Sequence, residues 1–287
     1  MTSEERHETR YQRRVKRRQE RRLVLSRSCG DFEDVFSYEN LYQSGHICCR
    51  GVGWKSSTQM YRFNLVTNTA ATRRALLDGT YKSRGFIEFD LWDRGKMRHI
   101  RSIHISERVV QRTLCDKVVN PTLKPSFIYD NGASTENKGI DFALNRLTCH
   151  LQRHYRKHGQ DGYVLLFDFS NYFANAQHWP VSRELAKRIH DVRIRALANE
   201  CLDNFGPVGY GLGSQISQTA ALMLPNKLDH FIKEKLGIKG YARYMDDGYL
   251  IHTSKEYLQK CLVQMQEVCA SLGIILNTKK TKIKRLS

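Results

Sequence analysis

The sequence predicts an α+β fold, and three observations carry that prediction. Tyr163 to Phe169 (YVLLFDF), bounded by Gly162, is a near-continuous apolar run of the kind found in strands buried on both faces. Lys239 to Thr253 (KGYARYMDDGYLIHT) reads as two short strands around an Asp-Asp-Gly turn, a hairpin signal. Helical stretches surround these strands without a regular strand–helix alternation, which places the helices on one face of the sheet.

The chain has 287 residues, room for two modest domains or one domain with a large insertion. Its 47 Lys and Arg against 29 Asp and Glu leave a net charge of +18, which points to a polyanionic partner, most often nucleic acid. No run of eighteen apolar residues exists, so no membrane span is expected. The opening residues MTSEERHETRYQRR lack the apolar stretch of a secretory signal. Eight cysteines in a chain of this length do not make a disulfide scaffold and read as reduced thiols in a cytoplasmic protein. His46, Cys48 and Cys49 stand close together, but no second pair at zinc-ligand spacing follows, so buried thiols are expected.

Residues 1–30 form a basic arm with ten Lys or Arg from Arg6 to Arg27 against Glu4, Glu5, Glu8 and Glu20. Arg13 to Leu25 has helix-forming composition but almost no apolar stripe. A solvated tail and a nucleic-acid-contacting arm both remain open for it. Between Asp31 and Gly159 the pattern is mixed. Tyr81 to Trp92 alternates like a strand, and Lys96 to Ile105 does so again after the turn Asp93–Arg94–Gly95. Glu107 to Val119 is helical and stops before Pro121. A polar loop, Tyr129 to Lys138, leads into a helix over Gly139 to His158 with Ile140, Phe142, Leu144, Leu147 and Leu151 inward. After the apolar strand, Val181 to Leu202 is helical, and Gln215 to Leu236 is a longer helix kinked at Pro225. Lys255 to Leu272 is an amphipathic helix, and Ile274 to Leu286 is a basic, strand-like tail.

Three carboxylates stand out. Asp168 lies in an apolar strand, where a lone carboxylate is expensive unless paired or metal-bound. Asp246 and Asp247 sit at a hairpin tip, where Asp is also common for conformational reasons alone. If the hairpin and the Tyr163–Phe169 strand are neighbours, these carboxylates converge at one sheet end. Such a cluster repels itself unless it holds cations, and an oxygen-only donor set selects Mg²⁺ or Mn²⁺ over zinc. Two such ions about 3.5–4 Å apart serve in-line phosphoryl transfer.

These residues carry a resemblance. Tyr244-Met245-Asp246-Asp247 matches the YxDD box of reverse transcriptases, and FDFSNYF (Phe167 to Phe173) resembles their first catalytic motif. ERVVQRTLCDKVVNP (Glu107 to Pro121) looks like their fingers segment, and LGIILNTKKTKI (Leu272 to Ile283) resembles their later palm motif. The resemblance runs in the family's order from about Arg94 to Ile283. It implies right-hand polymerase fingers over 31–160 and a palm over 161–287, an antiparallel sheet backed by helices, with no thumb evident in this chain. It implies an RNA-directed DNA polymerase that copies template RNA into cDNA from dNTPs with two Mg²⁺ or Mn²⁺ ions. Asp168 and Asp246 would be the main metal ligands, Asp247 their neighbour, and Phe169 a further metal position. The backbone of Phe169, Ser170, Asn171 and Tyr172 would cradle the triphosphate, with Lys96 and Arg98 as cations from the fingers strand. Phe173 matches the aromatic gate against a ribose 2′-hydroxyl, and Lys280, with Lys279 next in line, matches the proton donor to pyrophosphate. Each has a plainer alternative: a solvated basic strand for Lys96 and Arg98, a core aromatic for Phe173, and a phosphate-binding tail for Lys280.

Leu212-Gly213-Ser214-Gln215-Ile216-Ser217-Gln218 narrows the resemblance. Leu212 replaces the usual Gln of retroviral and group II intron enzymes, and Gln218 replaces their Pro. This pattern is similar to the prokaryotic and phage reverse transcriptases of diversity-generating retroelements, which copy with errors at template adenines and use a basic accessory protein. Simple packing is the alternative for Leu212. Two other functions stay open: an antiphage-defence reverse transcriptase, and a non-catalytic RNA-binding protein with a polymerase-like core.

Overall fold

The computed structural model describes residues 2–93 and 95–286; the side chains of residues 3, 4, 93, 96 and 98 lie outside the described set. Two compact units make up the chain. One holds Lys124–Val181 and the residues from Ala220 onward, together with the chain up to Arg21; the other holds Arg22–Leu123 and Ser182–Thr219.

The first unit is built on a four-stranded antiparallel sheet. Its strands are β3 (Tyr163–Asp168), β4 (Gly240–Tyr244), β5 (Asp247–His252) and β6 (Lys282–Arg285), in the order β4-β5-β3-β6. One sheet face closes the core through Leu165, Phe167, Tyr241 and Leu250. The glycine at 248 is dictated by this packing, because a Cβ there would fall 2.4 Å from the Phe167 ring. The expectation that β3 is buried on both faces does not hold. Leu165 and Phe167 point into the core, but Leu166 on the opposite face is 39% exposed. A continuous apolar run suits a parallel strand sandwiched between helices, whereas this sheet is antiparallel with one face partly open.

The Ile140–His158 helix packs on β4 and β5, and its inward side carries Arg146 and His150 beside Phe142. Of the expected inward stripe, Phe142 and Leu147 are half-buried, while Ile140, Leu144 and Leu151 are exposed. The reason is a buried charge network. Arg146 Nε and Lys233 Nζ donate to the Asp130 carboxylate at 2.6 and 2.7 Å, and His150 Nδ1 lies 2.9 Å from the Tyr249 hydroxyl. Paired in this way, charges tolerate a position that periodicity assigns to leucine.

The basic arm is an ordered helix, Ser3–Ser28. In the first unit Arg18 grips Glu234 through both guanidinium nitrogens (2.5 and 2.9 Å), and Lys235 donates to Glu8 and lies 4.1 Å from the Tyr11 ring centre. Burial raises the Glu234 pKa, but hydrogen bonds from His230 and Arg18 outweigh it and bring it to about 2. Arg6, Arg10, Arg13 and Arg17, spaced along the other side, are exposed. Ion pairs, not an apolar stripe, dock this helix.

In the second unit, β1 (Phe86–Asp93) pairs antiparallel with β2 (Lys96–Ile103), from Phe86↔Ile103 to Asp93↔Lys96. The strand starts later than alternation suggests, because Ser83 and the Arg84 amide donate to the buried Glu107 carboxylate and hold that stretch out of the sheet. Arg94 of the expected turn lies outside the described residues. The helix Ile105–Leu114 does not stop before Pro121; it continues through a π-helical turn, Cys115–Val119, into Asn120–Leu123. The wider turn relieves the clash between the proline ring and the carbonyl four residues back. Three helices, Tyr38–Cys49, Ser56–Phe63 and Leu65–Leu77, occupy a stretch with no clear apolar period. Their seam is made by small residues: a Cβ on Gly45 would lie 2.6 Å from Leu65 Cδ1. The expected Val181–Leu202 helix is two, Trp179–Ala186 and Val192–Asp203, the second capped by Asp191.

Five cysteines are buried, Cys29 and Cys48 are half-buried and Cys149 is exposed. No helix among the described residues is long and apolar enough to cross a membrane.

Candidate active site

The strand pairing of the first unit brings the carboxylates to one sheet end. Asp168 closes β3 directly opposite Asp247, the first residue of β5. Met245 and Asp246 form the two-residue turn joining β4 to β5, and Met245 takes the left-handed conformation at φ 55°. That backbone costs a non-glycine residue about 1–2 kcal/mol and persists only where the surroundings impose it.

Two anchors impose it. The Phe169 amide donates to the Asp246 carbonyl (3.2 Å), and the buried Arg243 donates through Nη1 to the Met245 carbonyl (2.6 Å). Arg243 is itself held by Asp229, with Nε to Oδ1 at 2.8 Å and Nη2 to Oδ2 at 2.7 Å, and both side chains are fully buried. The Tyr241 hydroxyl donates to the same carboxylate (2.5 Å).

Pro225 contributes from a distance. The expected kinked helix is broken there: one helix runs Gln215–Met223 and the next turn begins at Asn226. Proline has no N–H for the carbonyl four residues earlier, that of Ala221. That carbonyl instead accepts the Tyr172 hydroxyl (2.5 Å), and the neighbouring Leu222 carbonyl accepts Arg243 Nη2 (3.1 Å). The broken helix end thereby holds both the loop after Asp168 and the strand before Asp246.

A third segment closes the site. The Asn277 amide donates to the Asp168 carbonyl (2.8 Å), and its side-chain amide reaches Asp168 Oδ1 (3.3 Å). The Asn277 side-chain oxygen accepts the amides of Lys279 and Lys280 at 3.1 and 3.2 Å, forming the turn that swings Lys280 Nζ to 2.7 Å from Asp168 Oδ2. Sequence reasoning missed Asn277, Arg243 and Asp229. The Asn-Thr-Lys-Lys turn chemistry was a usable signal for the first; a buried arginine inside a strand gives none.

The electrostatics follow from this crowding. Burial and the Asp168 charge raise the Asp246 pKa. Asp247 is pushed up to about 6 by burial, by its hydrogen bond with Asp168, and by the charges of Asp246 and Asp168. The hydrogen bond to Asp168 in turn raises the Lys280 pKa. Among the described residues no three acidic, His or Cys side chains are grouped as a metal cluster; the cation against Asp168 is the Lys280 ammonium.

The cradle expected over Phe169 to Tyr172 is corrected in its first half. The Phe169 and Ser170 amides are committed to the carbonyls of Asp246 and Ile275, because they tie the three site segments together. The Phe169 ring is buried, which leaves only its main-chain carbonyl for a metal position. Asn171 turns the chain at φ 44° ahead of the short Tyr172–Asn175 helix, on which Phe173 is half-buried and 5.7 Å from the Tyr172 ring.

The remaining candidates belong to the second unit. Leu212 is half-buried, Gly213 is exposed at φ 94°, and Gln218 is exposed on the Gln215–Met223 helix. Their loop is fixed by Ser214 Oγ donating to Gln111 (3.0 Å), both buried, and by Gly211, where a Cβ would overlap the Phe205 ring. Lys96 and Arg98 stand on β2 with side chains outside the described residues.

A sheet of this antiparallel order, with acidic residues ending its paired central strands, is the palm of a right-hand polymerase. Residues 82–285 match the family model described as reverse transcriptase (RNA-dependent DNA polymerase), and the chain belongs to that family. Among solved structures it is similar to apo telomerase from Candida tropicalis truncated from its C-terminal domain (13% identity, TM-score 0.51, covering 69% of this chain and 49% of that one). It is also similar to telomerase from Candida albicans in complex with a TWJ fragment of telomeric RNA (11% identity, TM-score 0.51, 71% and 42%). The corresponding Candida tropicalis complex gives 13% identity and a TM-score of 0.52, over 69% and 40%. These likenesses establish the fold, and this chain spans less than half the length of each. A comparison with curated proteins finds no match.

One prediction arises at the site. In metal-free protein, Asp247 holds a proton in the folded state that the unfolded chain releases near the ordinary value of 3.8. Its contribution to stability is therefore complete below that value and is lost as pH rises through about 6. Metal-free Tm should fall across that window, and Asp247→Asn should flatten the fall. Superimposable Tm-against-pH curves for the two proteins would remove the carboxylate crowding from the account.

Proposed function

We propose that the chain is an RNA-directed DNA polymerase, with fingers over 31–160 and a carboxylate-bearing palm over 161–287. The observation that carries this reading is the pairing of Asp168 with Asp247 across β3 and β5, next to Asp246 on an anchored turn. The donor set suits Mg²⁺ or Mn²⁺: it is all oxygen, anionic, and its raised pKa values signal charge still uncompensated. Asp168 and Asp246 would hold two ions, with Asp247 beside them and the Phe169 carbonyl in reach of the same end. Ions held there would supply the positive charge that the attacking 3′-oxygen and the departing pyrophosphate require. The protein's own part is to keep the carboxylates fixed, which Arg243 and Asn277 do through the Met245 carbonyl and Asp168, and to deliver a proton from Lys280 to the leaving group. Phe173 would exclude a ribose 2′-hydroxyl. Lys96, Arg98, Asn171 and Gln218 complete the nucleotide-binding set, and the exposed arm arginines add affinity for template RNA and cDNA. The free thiols suit a cytoplasmic setting.

Within the family, the loop at Leu212 favours the diversity-generating type, acting with a basic accessory protein in a prokaryotic or phage host. A glutamine there hydrogen-bonds, giving a mispair a polar penalty; leucine discriminates by shape alone, by about 1–3 kcal/mol. Primer extension on a defined RNA template, with the cDNA sequenced, tests both levels. Incorporation of dNTPs with errors concentrated opposite adenine is expected, and Leu212→Gln should lower those errors more than errors opposite the other bases. No incorporation with either ion would overturn the polymerase reading. Equal error rates at all four template bases would overturn only the subtype.

A further inference from the structure

We propose that the open face of β3 and β6 is a binding track for the sugar–phosphate backbone of the strand being extended, with Lys282 and Lys284 as its cations. This rests on the polymerase reading above. In an antiparallel pair, residues in register share a face, and side chains alternate along each strand. Lys282 is in register with Leu166 and Lys284 with Val164. Val164, Leu166 and Asp168 alternate on β3, so both lysines stand on the face that carries the Asp168 carboxylate, and Lys280 already reaches that carboxylate. Lys280, Lys282 and Lys284 therefore form a row leading away from the site.

The spacing fits a polyanion. Two residues of strand advance about 6.6 Å, comparable with the separation of successive phosphates along a nucleic-acid strand. Lys282 and Lys284 are exposed, and neither forms an ion pair among the described residues. The one carboxylate of β3 on this face is Asp168, which Lys280 engages. Like charges aligned on one face repel, and a phosphate backbone removes that repulsion. Beside the row, in register with Lys282, lies Leu166, 39% exposed, an apolar floor against which a sugar can rest. The sequence treats Ile274 to Leu286 as one basic tail, but the pleat divides it. Arg285, in register with Tyr163, falls on the opposite face with Ile283.

The test is binding of the full chain to a fluorescent DNA primer annealed to an RNA template, read by anisotropy. Lys282→Ala with Lys284→Ala should weaken binding about tenfold at 0.1 M salt and reduce the log K against log salt slope by about 2. Arg285→Ala should change the affinity less than twofold, and arginine at both lysine positions should restore it. Single neutral methylphosphonate linkages locate the contact: wild type should lose affinity when one of the last two linkages at the primer 3′ end is neutral, and the double alanine variant should not. Unchanged affinity and slope, an equal effect of Arg285→Ala, or equal sensitivity at every linkage would each overturn the track. Extension that proceeds without the lysine effect defeats this inference alone. The lysine effect without any dNTP incorporation defeats the polymerase reading and leaves a strand-binding surface.

Discussion

Asp168→Asn and Asp246→Asn should each abolish primer extension, with losses on the order of 10³-fold or more. Both substitutions keep side-chain size and remove one charge, so they separate ligand chemistry from packing. Asp168 ends the central strand β3, is buried, and is braced by Asn277 and Lys280. Asp246 lies on the turn that the Phe169 amide and Arg243 hold. A neutral amide at either place would remove one anionic donor from the set proposed to hold the divalent ions. Binding of primed template should persist, because the basic surfaces are untouched. Folding should persist too: burial already raises the Asp246 pKa, so its place on the turn accommodates a neutral side chain. Full extension by Asp246→Asn would show that the site has been misassigned.

The second large effect concerns a residue buried behind the Asp246 turn. Arg243→Ala should destabilise the protein by about 3–5 kcal/mol, because it leaves the Asp229 carboxylate charged and unpaired in the core. Loss of activity in that variant says little. The informative protein replaces the whole network by apolar groups, Arg243→Met, Asp229→Leu and Tyr241→Phe together, since the Tyr241 hydroxyl would otherwise lose its acceptor. Replacing a complete buried pair in this manner is often close to neutral for stability. We expect denaturation midpoints near wild type but kcat at least tenfold lower, with primed-template affinity retained. The reason is specific: methionine cannot donate to the Met245 carbonyl, so the left-handed turn carrying Asp246 loses its anchor. Recovery of kcat along with stability would make Arg243 a packing residue and not a positioning one.

The legible part of the site was its chemistry. Asp168 inside an apolar run, and Asp246 with Asp247 between two short strands, are local signals, and the structure pairs the strands that carry them. What escaped was the support. Arg243 and Asp229 are fourteen positions apart and look like ordinary surface charges until both are found fully buried. Ala221 and Leu222 act only through carbonyls at the end of the helix broken at Pro225, a consequence of where the helix breaks and not of which side chains it bears. The amides of Phe169 and Ser170 seemed available to a ligand because nothing local shows that Asp246 and Ile275 take them.

By itself the sequence determined the mixed α and β class, the cationic character, the order of the motifs and the hairpin at Asp246, since each depends on neighbours within a few positions. Tertiary structure alone decided which face of the Ile140–His158 helix turns inward, where charge pairing with Asp130 overrides the apolar period. It also decided that β3 is open at Leu166, because burial of a strand face depends on what packs over it. The same holds for the small-residue seam at Gly45, which no hydrophobic count registers. Backbone propensity and side-chain period act over one or two turns of chain, whereas burial, charge pairing and strand register are set by residues a hundred positions away.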